Sequence, residues 1–276
     1  MPYLSSEFFQ SVGLAMSLSA CVTPPPVESP VVASPVALAP ANGLPPSTKA
    51  CTWPGGAEVA VSLTYDDSLA SQISYAMPVL DRAGLKATFF LSGANLASFA
   101  PLAKGGHELA SHTVTHPCRD ALSALSLEDM AKELDAGVAA VQALGVSGKL
   151  TFAYPCGEMR LKGGASYEPL VQARFRAARG VAGVVADPKS VNVFNVPAFF
   201  PPTNSDGSDV VAFIEEARKI HGWAVIGIHG VSAAGEYLQF PQAAHDKVVD
   251  YLVEQKQTVW TAPFGTVADA VIACRQ

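Results

Sequence analysis

Alternation of short apolar runs with longer helical patterns is the feature of this sequence that most restricts its fold. From Cys51 onward, β-rich runs and amphipathic stretches follow one another to the end of the chain. Runs such as Val59-Ala60-Val61-Ser62-Leu63 are almost continuously apolar, as in strands covered on both faces. Repeated β–α alternation predicts a parallel sheet, either closed or doubly wound. Seven candidate strands within about 225 residues favour a closed, irregular α/β barrel.

The predicted elements can be placed along residues 51–276. Candidate strands are the runs rich in β-branched and aromatic residues, at 59–65, 87–91, 108–111, 150–153, 177–181, 223–228 and 258–260. Candidate helices are the stretches with helical periodicity, at 76–83, 127–144, 168–174, 209–220 and 241–255. Within the last of these, His245 is expected on a solvated helix face.

Residues 1–50 differ in composition from the rest of the chain. They hold nine of the 21 prolines, with one Lys and two Glu, which predicts an extended linker over 22–50. The apolar stretch 8–20 has about the length of a signal-peptide core and ends in Leu18-Ser19-Ala20-Cys21, which resembles a bacterial lipobox with Cys21 as the lipidated residue. We therefore expect a leader at 1–21, a linker at 22–50 and one domain at 51–276. A buried apolar start of the domain is the alternative for residues 8–20.

This leader predicts an exported protein, either periplasmic or a membrane-anchored lipoprotein of a bacterium. No apolar run approaches the roughly 20 residues of a spanning helix, so membrane contact is expected only through the lipid anchor. The net charge of -6, without any run of Lys or Arg, argues against nucleic acid and anionic lipid surfaces as partners. A neutral or small substrate is expected.

Cysteine usage fits an oxidising compartment, where thiols tend to pair. Cys51 opens the domain and Cys274 nearly ends it, so a bond between them would join its two ends and contribute on the order of 4 to 5 kcal/mol in the chain-entropy model. Cys118 and Cys156 would then pair with each other or remain free. Sequence alone does not choose among the three connectivities of four cysteines. The chain has no CxxC pair, so a metal must use other ligands.

Polar clusters stand where three of the predicted strands end. They are Thr64-Tyr65-Asp66-Asp67-Ser68, Ser111-His112-Thr113-Val114-Thr115-His116-Pro117 and Ile228-His229-Gly230. Active sites of β/α barrels lie at the carboxyl ends of the strands. Adjacent carboxylates repel each other unless water or a cation lies beside them. Two histidines at HxxxH spacing with one carboxylate form a facial set of metal ligands with open positions, which is typical of a catalytic metal site.

These clusters also carry a family resemblance. The ordered segments Leu63-Thr64-Tyr65-Asp66-Asp67-Ser68, Gly106-His107-Glu108 with His112-Thr113-Val114-Thr115-His116-Pro117, Phe152-Ala153-Tyr154-Pro155-Cys156-Gly157 and Ile228-His229 resemble the motifs of the polysaccharide deacetylases. That family is carbohydrate esterase family 4, the NodB-homology group. The resemblance spans most of residues 58–262 and implies a metal-dependent deacetylase with a deformed (β/α)7 barrel and its metal site at the carboxyl ends of the strands.

The resemblance implies a role for each matching residue. It assigns Asp67, His112 and His116 to the metal, usually zinc, with cobalt or nickel as alternatives. Asp66 would be the general base and His229 the general acid. A backbone N–H near Cys156 would help the metal to hold the oxyanion.

The chain departs from the family pattern in its third and fourth motifs. Ala153 and Cys156 stand where the family has an arginine that orients the base and an aromatic residue, and the fourth motif has no counterpart between residues 181 and 200. We hypothesise that Arg179 supplies the missing cation to Asp66 from a neighbouring strand, the alternative being an ordinary surface arginine.

Other residues near these motifs have two alternative interpretations each. Phe199, Phe200 and Tyr154 either line the substrate groove or pack in the core. Cys118 and Cys156 are expected on the active-site face, where a disulfide would brace the metal loop against the oxyanion loop; thiolate ligation of the metal is the alternative.

Three functions are compatible with these residues. The first is removal of N-acetyl groups from a cell-wall or secreted polysaccharide. The second is O-deacetylation of a glycan at the same site. The third is a carbohydrate-binding relative that has lost turnover, which the missing arginine favours and the complete metal and acid–base set disfavours.

Overall fold

A computed structural model describes residues 51–93, 96–232 and 235–276. The predicted leader at 1–21 with Cys21 and the predicted linker at 22–50 lie outside these residues. None of the helices in the described part combines the length and apolar character that crossing a bilayer requires.

The seven predicted strands and five predicted helices all occur in the predicted order. The strands are β1 Val59–Asp66, β2 Thr88–Leu91, β3 Glu108–Ser111, β4 Phe152–Ala153, β5 Ala178–Arg179, β6 Trp223–Ile228, β7 Val231–Ser232, β8 Phe240–Pro241 and β9 Val259–Thr261. The helices are α1 Met77–Ala83, α2 Ala100–Lys104, α3 Asp120–Ser123, α4 Leu127–Gln142, α5 Glu168–Arg174, α6 Ser208–Arg218, α7 Gln242–Glu254 and α8 Phe264–Arg275. The structure thus adds three helices and two short strands that were not predicted, namely α2, α3, α8, β7 and β8.

Local sequence signals set several helix boundaries. The Ser126 hydroxyl accepts a hydrogen bond from the Asp129 N–H at 3.1 Å, which caps the first turn of α4. Helix α1 ends at Gly84, whose φ of 69° is the left-handed conformation that glycine adopts without steric cost.

Parallel pairing arranges the main sheet in the order β5-β4-β3-β2-β1-β6. Strand β1 is central: β6 pairs along one edge, while β2 and β9 pair with the second and first halves of the other edge. All of these pairs are parallel, so the carboxyl ends of β1 to β6 lie at the same end of the sheet.

The stretch between β5 and β6 closes this sheet. Val196 bridges to Arg179 of β5, and Phe199 bridges to Ile226 of β6. The Gly227 N–H donates to the Phe199 carbonyl at 2.8 Å. The expected deformed β/α barrel is therefore confirmed, with an irregular segment in the place of one strand of the barrel wall. The sequence did not predict this segment as a strand because prolines interrupt it, and proline removes a ladder donor.

Period-two alternation divides the apolar side chains between two cores. On β1, Val59, Val61, Leu63 and Tyr65 face the surrounding helices. Ala60 faces the other way, into an interior core that also holds Phe90, Ala110, Ala153 and Val225. Inward-facing residues at the carboxyl ends of the strands therefore point into the mouth of the barrel.

Helix α8 was missing from the predicted elements. Its residues Phe264, Val267, Ala268 and Val271 are buried in the interior core, at the amino end of the strands. The sequence of α8 is apolar on nearly all sides, so it lacks the polar face by which an amphipathic helix is recognised. A disulfide joins Cys274 in this helix to Cys51, with Cα atoms 5.5 Å apart and a sequence separation of 223.

His245 corrects one expectation. It lies on α7 but is only 1% exposed, and its Nε2 is 2.7 Å from the hydroxyl of Tyr65 on β1. The face of α7 that carries it packs on the sheet, whereas the helical pattern alone had placed it towards solvent.

Candidate active site

The mouth of the barrel brings together the polar residues that end the strands. Asp66 ends β1, Arg179 ends β5, and His112 and His229 directly follow β3 and β6. All four line one cavity of about 300 Å³. Each of these side chains lies on the same face of its strand as the residues of the interior core. This shared inward direction explains why residues up to 163 positions apart converge.

One carboxylate and two imidazoles converge most closely. The Asp67 Oδ1 lies 3.6 Å from His112 Nε2 and 3.4 Å from His116 Nε2. The two Nε2 atoms are 3.1 Å apart. Each residue offers one ligand atom, and the three atoms lie within 4.8 Å of one another, so a single ion can contact all three.

A hydrogen bond at Nδ1 of His112 fixes the direction of its Nε2. Its Nδ1–H donates to the Ala153 carbonyl at 2.8 Å, which leaves the Nε2 lone pair directed at Asp67 and His116. Burial lowers the pKa of His112 to about 4, so its ring is neutral near pH 7. A neutral imidazole held by a backbone carbonyl is the form that binds a divalent cation, so these residues fit a metal.

Two members of this metal-ligand group have a left-handed backbone conformation. Asp67 has a φ of 72° and His116 a φ of 52°, values that non-glycine residues adopt at a steric cost and that cluster at functional sites. Glu133 of α4 holds the loop: its Oε1 accepts the Val114 N–H at 2.7 Å and also the Thr115 N–H. Sequence reasoning missed Glu133, since a helical glutamate gives no local sign of a contact with this loop.

Arg179 forms a buried ion pair with Asp66. Its Nη2 lies 2.5 Å from Asp66 Oδ2, and both side chains are almost fully buried. The guanidinium is also held between the rings of Phe90 and Phe200, at 5.1 and 5.0 Å from their centroids. Burial raises the pKa of Asp66, but the charges of Arg179, His112 and His229 outweigh it and lower that pKa below its ordinary value. Asp66 is thus ionised, and its Oδ1 has no hydrogen-bond partner.

Gln72 ties the backbones of the two candidate acid–base residues together. Its side-chain amide donates to the Asp66 carbonyl at 2.5 Å and to the His229 carbonyl at 3.0 Å. The His229 Nε2 lies 3.8 Å from Asp67 Oδ2, so the ring faces the metal-ligand group. Gln72 is fully buried and was not predicted, because its contact with His229 joins positions that are 157 apart in the sequence.

A second disulfide borders the cavity. Cys118 and Cys156 are bonded, with Cα atoms 5.9 Å apart, and join the loop of His116 to the turn that follows β4. His116, Cys118 and Cys156 also lie close enough to form a metal-binding group. Sulfurs bonded to each other are not thiolates, so this group is not a thiolate site in the structure described.

The walls of the cavity agree only partly with expectation. Tyr154 and Phe200 line it, whereas Phe199 points outward and stacks on Phe213 of α6 at 4.9 Å. Phe200 fits against β6 because Gly227 has no side chain: a Cβ there would lie 2.3 Å from the Phe200 ring. Four further residues line the cavity and were not predicted: Arg119, Val181, Tyr237 and Leu238.

Comparison with known structures shows the same fold. A protein from Mycobacterium smegmatis assigned as a polysaccharide deacetylase superposes with a TM-score of 0.61, at 18% identity, over 83% of this chain and 95% of that one. An acetyl xylan esterase of family 4 from Clostridium thermocellum, in complex with a cobalt ion, gives 0.52 at 19% identity over 75% and 89%. A peptidoglycan deacetylase from Bacillus subtilis gives 0.50 at 16% identity over 79% and 93%.

Sequence comparisons found a relative and a family model that this chain resembles. A gellan lyase from a Bacillus species is 27% identical over 217 residues, which cover 67% of this chain but only 8% of that protein. Residues 55–163 match the sequence model of the polysaccharide deacetylases. This matched segment contains the first two polar clusters and the turn after β4. In this matched segment and in its fold, the chain is similar to the polysaccharide deacetylases.

Proposed function

We propose that this protein is a metal-dependent hydrolase that removes N-acetyl groups from a cell-wall or extracellular polysaccharide and releases acetate. The observation that carries the proposal is the meeting, in one cavity, of the Asp67–His112–His116 group with the buried pair Asp66–Arg179 and with His229. A cation site, an ionised carboxylate and an imidazole are the three parts that amide hydrolysis needs at neutral pH.

Asp67, His112 and His116 would hold the cation, most readily zinc, with cobalt or nickel as alternatives. When bound, a divalent cation supplies an electrophile for the acetyl carbonyl and lowers the pKa of water towards 7. The chain offers three ligands, so positions remain open for water and substrate.

Asp66 would act as the general base. Arg179 occupies its Oδ2, which leaves Oδ1 to take the proton of the attacking water. Because the neighbouring charges lower the pKa of Asp66, this carboxylate is ionised, and therefore in the form of a base, over the whole neutral range. Arg179 would orient the carboxylate without touching the substrate.

His229 would act as the general acid, protonating the nitrogen of the departing amine. The oxyanion would be stabilised by the backbone N–H of Cys156, in the turn that lines the cavity. The next two amides are engaged within that turn, because Gly157 N–H donates to Tyr154 and Glu158 N–H donates to Pro155.

The same residues could hydrolyse an O-acetyl ester, since both reactions pass through a tetrahedral oxyanion. An alcohol leaves more easily than an amine and depends less on an acid. We favour the amide because His229 is held in place by Gln72, by Phe200 at 5.4 Å and by Tyr237 at 5.8 Å, measured between ring centroids.

We further propose that the protein is exported and anchored through a lipid on Cys21. The support is the lipobox-like segment, together with two disulfides, which persist in oxidising compartments.

Acetate release from chitooligosaccharide, peptidoglycan and acetylxylan tests the proposal. We expect release from an N-acetylated substrate, its loss after dialysis against a chelator, and its recovery with Zn²⁺ or Co²⁺. The variant His116→Ala should lose bound metal and lower turnover at least about a hundredfold.

His221→Ala is the matched control, since His221 is exposed and lies outside the cavity. It should keep both metal and turnover. Full turnover in protein without bound metal would overturn the proposal. Release of acetate from acetylxylan alone would show that the protein hydrolyses O-acetyl esters and not N-acetyl amides.

A further inference from the structure

Among the charged residues that line the cavity, Arg119 stands apart. Asp66 is paired with Arg179, and Asp67 belongs to the metal-ligand group with its two histidines. Arg119 also lines the cavity and is exposed, yet within the described part of the chain its guanidinium forms no ion pair or hydrogen bond. A cation that faces a substrate cavity without a protein partner can bind an anionic group of the substrate.

The backbone of Arg119 is held on both sides. Its N–H donates to Glu158 Oε2 at 2.7 Å, and its carbonyl accepts the Ser123 N–H at 2.9 Å at the start of α3. The preceding residue, Cys118, is bonded to Cys156. These contacts hold Arg119 at a φ of 54° and a ψ of −125°, a conformation that an arginine does not favour. The chain thus fixes the origin of this side chain at the rim of the cavity.

Glu158 does not neutralise the guanidinium directly. One of its oxygens is engaged by the main chain of Arg119, and no ion pair joins the two side chains in the described structure. The Asp66–Arg179 pair is neutral overall, so a divalent cation held beside Asp67 would give the cavity a net positive charge, although the whole chain carries -6. With that cation bound, the local field would favour anions where the field of the whole protein does not.

We propose that Arg119 determines specificity by binding a carboxylate on the glycan, so that the preferred substrate is an acidic acetylated polysaccharide. The inference rests on the proposed deacetylase function and names the substrate class of that site. Guanidinium and carboxylate match in shape and form two parallel hydrogen bonds, which a neutral hydroxymethyl group cannot reproduce.

The test uses two substrates that differ only in this group: N-acetylchitooligosaccharide and the same oligosaccharide with its C6 positions oxidised to carboxylates. The measured quantity is the ratio of kcat/KM for the carboxylated substrate to that for the neutral one. We expect a ratio of about ten in the wild type, falling towards one in Arg119→Gln, with part of it kept in Arg119→Lys. Raising the salt concentration should lower the wild-type ratio.

Arg82→Gln is the matched control. Arg82 is an exposed arginine in the last turn of α1, outside the cavity, and its replacement removes the same charge from the protein. It should keep the wild-type ratio. A wild-type ratio near one, or an Arg119→Gln ratio equal to that of the wild type, overturns the inference while leaving the deacetylase proposal intact.

If neither substrate releases acetate, the deacetylase proposal fails and calorimetric binding of the two oligosaccharides decides the inference. Tighter binding of the carboxylated form that disappears in Arg119→Gln supports it. Equal binding of the two forms by the wild type overturns it.

Discussion

Two carboxylate–arginine pairs at opposite ends of the barrel show how differently the same chemistry can be used. Glu108 and Arg176 meet at the amino end of the strands, with Oε1 and Nη2 3.0 Å apart. Asp66 and Arg179 meet at the carboxyl end, with Oδ2 and Nη2 2.5 Å apart. Both pairs face the interior of the barrel, yet their remaining hydrogen-bond partners differ.

Both oxygens of Glu108 are saturated. Besides Arg176, the carboxylate accepts the hydroxyls of Thr88 and Thr151 at 2.7 and 2.9 Å and the Gly265 N–H at 2.8 Å. The last of these contacts caps the first turn of α8. The absence of a side chain at Gly265 makes room for the pair, because a Cβ there would lie 2.0 Å from Arg176 Nη2 and 2.3 Å from the Glu108 carboxylate and would displace them. Glu108 therefore joins β2, β3 and α8 and has no acceptor position left for a ligand.

Asp66 is left incomplete. Its Oδ2 accepts from Arg179, while Oδ1 is buried without a hydrogen-bond partner, in a residue that lines the cavity. A buried unsatisfied oxygen costs free energy, which a purely structural carboxylate would avoid. A saturated carboxylate thus marks the pair that holds the fold, and a carboxylate with an unsatisfied oxygen marks the pair that is available for chemistry.

The largest expected effect comes from neutralising the two carboxylates in turn. Asp66→Asn keeps an acceptor for Arg179 but removes the base, so kcat should fall about a thousandfold in a folded protein. Glu108→Gln should leave kcat within severalfold of the wild type and lower the free energy of unfolding by about 1 to 3 kcal/mol. Acetate release and denaturant unfolding measure both. Loss of turnover in folded Glu108→Gln would remove the distinction between the pairs.

The two arginines provide the next comparison. Arg179→Ala should lower turnover about a hundredfold without changing the metal content, because Arg179 orients the base and not the metal ligands. Since it also leaves Asp66 buried and unpaired, Arg179→Lys serves as the folded variant, with turnover between the two. Arg176→Ala should keep wild-type turnover and lose roughly 1 kcal/mol of stability, as expected for a partly exposed pair. Unchanged turnover in Arg179→Ala would exclude the orienting role.

The smallest expected effect on turnover concerns His245, which like Asp66 has a buried atom without a hydrogen-bond partner, its Nδ1, but does not line the cavity. Burial lowers its pKa to about 4 from an ordinary value of 6.5. The unfolded chain therefore binds a proton that the folded chain does not, and up to about 3 kcal/mol of stability should be lost as the pH falls from 6.5 to 4.

Denaturant unfolding across this pH range tests the effect. His245→Gln should weaken the pH dependence by the share of His245, while His112, whose pKa burial also lowers to about 4, keeps its own share. Turnover should stay near wild type, and His221→Gln, at an exposed position, should leave the pH dependence as it is. A large loss of turnover in folded His245→Gln would show that an unsatisfied atom can serve catalysis without facing the cavity.

Much of the fold could be predicted because it depends on local patterns. Continuous apolar runs identified the seven strands, and glycines after helical stretches identified the helix ends. Helix α8 and the irregular segment at Val196 and Phe199, between β5 and β6, could not be found this way. The first is apolar all round and buried in the interior core, and the second is interrupted by prolines and gains its hydrogen bonds from β5 and β6.

By itself, the sequence determined which residue types stand at the ends of the strands, because an apolar run must stop before a polar group can meet solvent or an ion. Only the tertiary structure decided which of them face inward and which meet. It placed Arg179 on Asp66, Glu133 beneath the His112–His116 loop, and Arg119 at the rim of the cavity. The reason is the geometry of the barrel, since closing the sheet brings side chains together according to strand order and pleat, and neither can be read from neighbours along the chain.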